Sequence, residues 1–425
     1  MVVSKKEQKI KEPVVVSEVD VSVPFVEDTP IEEVTKEAKK PVPVINAEEK
    51  LLTSEYSGHL FTQKEIEAGQ FLQSNFQTFL SDTTDIKFDE DAVQSTIPTG
   101  LDVLDIIMGG GVATKLCQFV GNPGTGKSAL AAKVIATGQR KWPGKFISIY
   151  IDSENSTDME RLAQLGVTYP KLKPADQDIT VEKVFKAIEG LCVFKENNKE
   201  LIEIPSVVVW DSIANTLTEK AMTEDSHHSV LGLKAAILAH TLPRYVNKMN
   251  KYNISLIGVN QLRDKIEMGM SHTPATLRFL ADKNIPGGNS LLFNSSQLFI
   301  LRQTRILTDE YGFSGVAVDI KGVKNKLFTP NISVELVFSF EHGFSNFWTN
   351  FELLKKYKII TCGGGWVKML GYDGGTGQFR QKQAIQRYRD DPKFREIWDT
   401  EIQGVLKREF VDPNKSTNSD QSDVR

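Results

Sequence analysis

At 425 residues, 40% hydrophobic and 25% charged, the chain has the composition of an ordinary globular protein and is long enough for a large α/β core with one or two small appendages. No run approaches the roughly 18 apolar residues of a membrane span, no apolar signal core opens the chain, and three widely separated cysteines with scattered histidines offer neither a disulfide framework nor a zinc site, which suits a reducing cytosol. The net charge of −4 carries no overall signature of nucleic-acid binding, so basic groups serving that purpose would have to be local.

Residues 1–45 alternate valine and proline (PVVV, SVPF, PVPV) with mixed charges and no glycine, and are expected to form a disordered tail; a short partner-docking strand is the alternative. Residues 46–95 hold one amphipathic helix. Thr62 and Glu65 stand at capping-box spacing, Phe61 and Ile66 form the matching staple, and Ile66, Phe71, Leu72, Phe76, Phe79 and Leu80 make one apolar stripe. That stripe needs a surface, either on its own domain or on a neighbouring subunit.

The core is expected over residues 96–343. Residues 115–120 (KLCQFV) read as a short buried strand, and Gly121, Asn122, Pro123, Gly124, Thr125, Gly126, Lys127 and Ser128 then fit the phosphate-loop pattern G-x-x-x-x-G-K-[ST] at every fixed position. Ala129 begins an Ala-rich helix that runs to residue 138. Such a loop turns backbone N–H groups toward phosphate oxygens at a helix N-terminus, with Lys127 reaching the outer phosphates and the Ser128 hydroxyl available to Mg²⁺. The runs 146–151 (FISIYI), 206–210 (SVVVW) and 254–259 (ISLIGV) are continuously apolar, the mark of parallel strands covered on both faces. Glu154 follows the first, where it could orient an attacking water, although Asp152 or Glu154 could equally cap the next helix. Asp211 ends the second, across from Ser128, where it could hold Mg²⁺ through water.

Beyond residue 291, strands at 297–302, 316–323 and 332–338 with turn-like connections are expected to extend the sheet in antiparallel fashion. Lys324 and Lys326, two apart on a strand, would point the same way and call for a shared anion. A smaller module spans 344–410, with a helix at 348–356, Gly-rich turns at 363–365 and 374–377, and a charged helix to about 410; residues 411–425 are polar and expected to be disordered.

Together these blocks resemble the RecA-type homologous recombinases. IDSENSTDMERLAQLGV is similar to the family's strand, catalytic Glu and helix; VVVWDSIANTL and EDSHHSVLGLKAAILAH to the Mg²⁺ strand, first DNA-binding loop and following helix; IGVNQLRDKI and PGGNSLLF to the sensor strand, second DNA-binding loop and closing helix; and KGVKNKLFTP with VELVFSFEHGFS to the strand pair whose basic residues reach a neighbour's nucleotide. The helix near the N-terminus and GGGWVKM suggest the bacteriophage, UvsX-like branch. The resemblance implies an α/β fold: a RecA-like P-loop ATPase core with a mostly parallel central sheet, an N-terminal polymerisation helix and a small C-terminal α/β module.

It also implies ATP and Mg²⁺ as cofactors and the cytoplasm, a host's if phage-encoded, as location. Glu154, Lys127, Gln261, Lys324 and Lys326 would be catalytic, the last two against the γ-phosphate of an adjacent subunit, and Asp158 and Arg161 would contact adenine. DNA would meet loops at 215–229 and 262–286, through Arg263, Lys265, Arg278, Phe279 and Lys283, with Gly287, Gly288 and Asn289 closing the second. The second loop is longer than the family's usual one, and the C-terminal tail lacks a strongly acidic run. The implied function is a DNA-dependent ATPase that polymerises as a helical filament on single-stranded DNA and pairs it with homologous duplex, served by mediator and single-strand-binding proteins. Two alternatives share the nucleotide site: a hexameric helicase on the same core, and a nucleotide-gated DNA-binding structural protein.

Overall fold

The computed structural model describes residues 71, 95–154, 157–168, 179–223, 232–264, 283–307, 311–369 and 378–411. The expected N-terminal tail lies outside them, as does the C-terminal one apart from Val411, which ends a π-helical turn over Lys407–Val411; so do the helix at 62–80 apart from Phe71 and the turn at 374–377.

Eight strands form the central sheet: β1 (Leu116–Gly121), β2 (Ser148–Asp152), β3 (Ser206–Asp211), β4 (Ile254–Gln261), β5 (Ser295–Leu307), β6 (Gly315–Asn325), β7 (Ser333–Ser339) and β8 (Gly343–Phe344). Their spatial order is β8-β7-β6-β5-β1-β4-β3-β2. From β5 to β2 every pairing is parallel, and β6, β7 and β8 continue antiparallel. Strand β5 therefore departs from the expectation of an all-antiparallel extension. It follows a crossover helix, which returns the chain in the direction of β1, and only the connection onward to β6 reverses the direction. The strand expected at residue 146 begins at Ser148 instead. Phe146 closes a turn onto the Trp142 carbonyl, and its ring stacks on Trp142 at 5.8 Å.

The helices are α1 (Asp102–Met108), α2 (Lys127–Lys141), α3 (Met159–Gln164), α4 (Val181–Asn197), α5 (Leu233–Lys251), α6 (Asn289–Asn294), α7 (Asn346–Lys356), α8 (Ala384–Asp390) and α9 (Pro392–Leu406). Alternation along β3 sends Val207 and Val209 into the apolar cluster under α2, and Val208 and Trp210 into the one under α4 and α5. Both faces of the parallel strands are thus covered, which is why their sequences are mostly apolar without alternation.

The first cluster runs on without a break into the C-terminal region, where Trp348, Phe351, Phe394 and Trp398 join it. Asp102 on α1 accepts hydrogen bonds from Asn346 and Asn350 on α7, adding a polar clasp to that junction. Beyond α7 a three-stranded antiparallel sheet (Ile360–Gly363, Trp366–Met369, Gln378–Arg380) precedes α8 and α9. Among the described residues no helix is long and apolar enough to cross a membrane.

Candidate active site

Parallel strands end at one edge of a sheet, so β1, β4, β3 and β2 deliver the phosphate loop, Gln261, Asp211 and Glu154 to the same carboxyl edge. Register aligns Gly121 with Gln261, and Asp152 with Asp211. Residues more than a hundred positions apart in the chain meet there.

The loop's shape depends on its glycines. Gly126 caps α2 with φ +83°, and a Cβ there would come within 2.9 Å of the Phe344 ring. Gly121 lies so close to the Leu301 carbonyl that a Cβ would stand 2.5 Å from its oxygen. No side chain caps α2, which leaves the N–H groups of its first turn facing the loop. Lys127 is buried and donates to the Asn122 carbonyl at 2.7 Å, which the Thr125 hydroxyl also reaches at 2.9 Å. Burial lowers the Lys127 pKa, while the negative charges of Asp211 and Glu154 oppose that shift.

Asp211 is buried, and its carboxyl pKa is raised by that burial; hydrogen bonds from Ser128 and Tyr150 pull it back. The Tyr150 hydroxyl donates to Asp211 at 2.7 Å. Such a donor set suits a nucleoside triphosphate with one divalent cation. It offers one hydroxyl, one carboxylate and a helix N-terminus, and no group of three or more acidic, His or Cys residues that could hold a metal ion exists among the described residues. A Mg²⁺ ion held largely by phosphates and water needs no more.

Glu154 is exposed at the end of β2, and one of its oxygens accepts three hydrogen bonds: Ser212 Oγ at 2.6 Å, Asn215 Nδ2 at 2.6 Å and Gln261 Nε2 at 3.4 Å. Neither Asp152 nor Glu154 caps the next helix, which is capped by Asp158; Asp152 is buried and accepts from the backbone N–H groups of Glu154 and Thr157 in the turn before it. Ser153 braces the same corner, its hydroxyl accepting from the Ser212 N–H at 3.0 Å. Asn260, beside Gln261, donates to the Pro286 carbonyl at 2.9 Å, so the end of β4 touches Glu154 on one side and the close of the second loop on the other.

The remaining predicted residues are more dispersed. Asp158 is the N-cap of α3, accepting from the Glu160 N–H, which is the ordinary helix-start role for such a residue. Arg161 grips the Phe340 and Glu341 carbonyls at 2.8 and 2.9 Å. Phe340 is half exposed and packs edge-on against Phe338, which in turn meets Phe344 beside Gly126. Lys324 donates to the Leu292 and Phe293 carbonyls at 2.7 and 2.8 Å, at the C-terminal end of α6. Burial, then the charge of Lys326, lowers its pKa.

Lys326 stands past the end of β6, exposed, and a register irregularity between Gly322 and Lys324 precedes it. The simple two-residue alternation expected for the pair therefore does not extend to it. Arg263 is exposed and pairs with Asn284 in a two-residue ladder at the base of the second loop, Lys283 facing Asp264 in the same ladder. Gly287 and Gly288 turn into α6 with φ +104° and +80°, and Asn289 is exposed on its first turn. Lys265, Arg278 and Phe279 lie outside the described residues, as does the first loop beyond residue 223 up to 231.

Sequence reasoning missed Tyr150, Ser212 and Asn215. Tyr150 sits in a run that reads as uniformly apolar, and Ser212 and Asn215 follow Asp211 in a stretch that reads as turn and loop. Nothing in the linear pattern marks Tyr150 as a partner of Asp211, or Ser212 and Asn215 as partners of Glu154, since these contacts exist only through the pairing of β2 with β3.

The family model of the RecA N-terminal domain matches residues 82–345. Among curated relatives, Protein RecA of Colwellia psychrerythraea is 29% identical over 326 residues, 76% of this chain and 87% of that protein. Protein RecA of Desulfotalea psychrophila is 29% identical over 298 residues (68% and 76%), and that of Arthrospira platensis 26% over 318 (73% and 79%).

Proposed function

Because the chain belongs to the RecA family, we propose that it is a DNA-dependent ATPase recombinase, which forms helical filaments on single-stranded DNA and pairs the bound strand with homologous duplex. The observation that carries this reading is the junction at the end of β4. Gln261 reaches Glu154 while its neighbour Asn260 holds the close of the second loop, so the carboxylate placed for hydrolysis and the segment proposed to bind DNA share one short anchor.

In this reading Lys127 and the loop of residues 121–129, through its backbone N–H groups other than at Pro123, bind the triphosphate, and Ser128 and Asp211 would hold Mg²⁺. That ion, when bound, supplies charge neutralisation of the phosphates. Glu154 orients a water toward the terminal phosphate and accepts its proton, with Ser212, Asn215 and Gln261 fixing the carboxylate's direction. Arg161, Asp158 and the exposed ring of Phe340 frame the base. Lys324 and Lys326 complete the site of an adjacent copy, for which Lys324 must exchange its carbonyl partners for a phosphate. The apolar helix within 46–95 docks on a neighbouring subunit, mediator and single-strand-binding proteins load the filament, and GGGWVKM aligns the chain with the UvsX-like branch.

The test combines electron microscopy with hydrolysis. Protein with single-stranded DNA and a non-hydrolysable ATP analogue should form helical filaments, and ATP turnover should rise severalfold or more on adding the strand. Closed rings would favour the helicase, and ATP turnover indifferent to DNA would favour a structural clasp.

A further inference from the structure

Helix α5 begins directly after the first loop, with Gly232 as its N-cap in the left-handed conformation and no side-chain cap. Its second residue is Lys234. A cation in the first turn opposes the helix dipole, and this one is also half-buried. Burial, and then the charge of Arg263 at the mouth of the second loop, bring its pKa down to about 8. Among the described residues no carboxylate is one of the groups acting on it.

What offsets this is a pair of carbonyls: Lys234 Nζ donates to Ile213 O at 3.1 Å and to Ala214 O at 2.9 Å. Those two residues lie between Ser212 and Asn215, the two short hydrogen-bond donors to Glu154. Three costs borne for one anchor, at a place where the two loops meet, indicate a role for the anchor itself.

We propose that Lys234 is a positioning residue for ATP hydrolysis, pinning the turn that aims Glu154 and passing to it the arrival of a DNA phosphodiester beside Arg263. An anion placed at Arg263 cancels the repulsion between the two cations and makes the Lys234 anchor firmer. The donors of Ser212 and Asn215 then hold Glu154 in one direction. In the absence of the strand the turn is held less tightly and the carboxylate samples less productive directions, which is a physical source of DNA dependence. Lys234 can act this way only if Glu154 is the hydrolytic carboxylate, as proposed above.

The experiment uses full-length protein with poly(dT), at strand concentrations shown to be saturating by fluorescence anisotropy. Lys234→Met should lower the DNA-stimulated kcat by about tenfold, a typical penalty for loosening a positioned catalytic group. KM for ATP should stay within about twofold, because the phosphate loop is untouched. Lys234→Arg, able to donate to both carbonyls, should recover most of the rate. Asn215→Ala combined with Lys234→Met should be no slower than the slower single variant, since both act through the same hydrogen bond.

Wild-type kcat in Lys234→Met overturns the assignment. So do additive effects in the double variant, or loss of ATP binding and of the cooperative melt together, which mark a structural post. The Glu154 reading is checked separately. Glu154→Gln at the wild-type rate defeats that reading, whereas inactive Glu154→Gln beside fully active Lys234→Met defeats the Lys234 relay alone.

Discussion

Glu154→Gln separates two roles that the carboxylate could have. In the structure one oxygen accepts from Ser212, Asn215 and Gln261, at 2.6, 2.6 and 3.4 Å. A glutamine keeps an acceptor oxygen in that place and puts an amide where the second oxygen stands, so the scaffold around it survives. The two short bonds lose their charge assistance, at a local cost of about 1 kcal/mol, too little to unfold the corner. What disappears is the capacity to accept a proton. Turnover in the presence of single-stranded DNA should therefore fall by about 10² or more, equivalent to roughly 2.7 kcal/mol on the barrier.

ATP affinity should hold or improve, because a negative charge close enough to act on Lys127 has been removed from beside a polyanion. The assay pairs phosphate release with binding of a fluorescent ATP analogue, and includes Glu154→Ala as the variant lacking the acceptor too. If Glu154→Gln matches the wild-type rate while Glu154→Ala is slow, the residue is a hydrogen-bonding anchor and the proton acceptor lies elsewhere.

Further outcomes follow from other parts of the molecule. Gly126→Ala must place a Cβ at φ +83° and 2.9 Å from the Phe344 ring, so nucleotide binding should weaken by at least about tenfold in the same fluorescence assay, since the left-handed conformation alone costs roughly 1–2 kcal/mol. Lys195 is fully buried with its ammonium on the Ile204, Tyr252 and Asn253 carbonyls, and burial takes its pKa down to about 8. Lys195→Met should destabilise the fold by about 3 kcal/mol in urea melts near pH 7, by orphaning those carbonyls. Between pH 8 and about 10.5 the unfolded wild type binds the proton that the folded one has released, so wild-type stability rises relative to the variant across that window; a gap that stays constant from pH 7 to 9.5 refutes the buried-cation account. Lys324→Ala with Lys326→Ala should abolish turnover yet spare nucleotide binding, and mixing with Lys127→Ala protein should restore part of it; co-assembled mixtures with no recovery would place the whole site in one subunit.

How much of this was legible before the structure depends on how local the physical cause is. The phosphate loop is dictated by backbone geometry within eight consecutive residues, and its pattern stands complete in the sequence. Parallel strands announce themselves because both faces are buried, so Val207, Val208, Val209 and Trp210 are apolar without alternation. Where a boundary depends on a tertiary contact the reading slipped, as at Phe146, which is apolar because it covers Gly138 and Trp142 and not because it continues β2. Strand β5 reads as antiparallel because the sequence shows a turn-like connection before β6 but not which neighbour its other edge finds.

The site divides along the same line. Lys127, Asp211 and Glu154 occupy the ends of strands or the start of a helix, positions a chain can signal with a single residue type. Tyr150, Ser212, Asn215 and Lys234 have no such signature, since each matters only through a partner on another element. For Tyr150 that partner is Asp211, 61 residues away, and for Asn215 it is Glu154, also 61 away. The same distinction bears on the paired lysines. Two residues apart on paper, Lys324 and Lys326 are divided by the end of β6, and one is half-buried against α6 carbonyls while the other stands in solvent. If both serve a neighbour's phosphate, they must come to it by different routes: Lys326 directly, and Lys324 by leaving the end of the helix that closes the second loop. Occupation of the neighbouring nucleotide site would then release the C-terminal end of α6, the helix whose N-terminus closes the second loop, giving the assembly a second proposed path between ATP and DNA besides the one through Gln261.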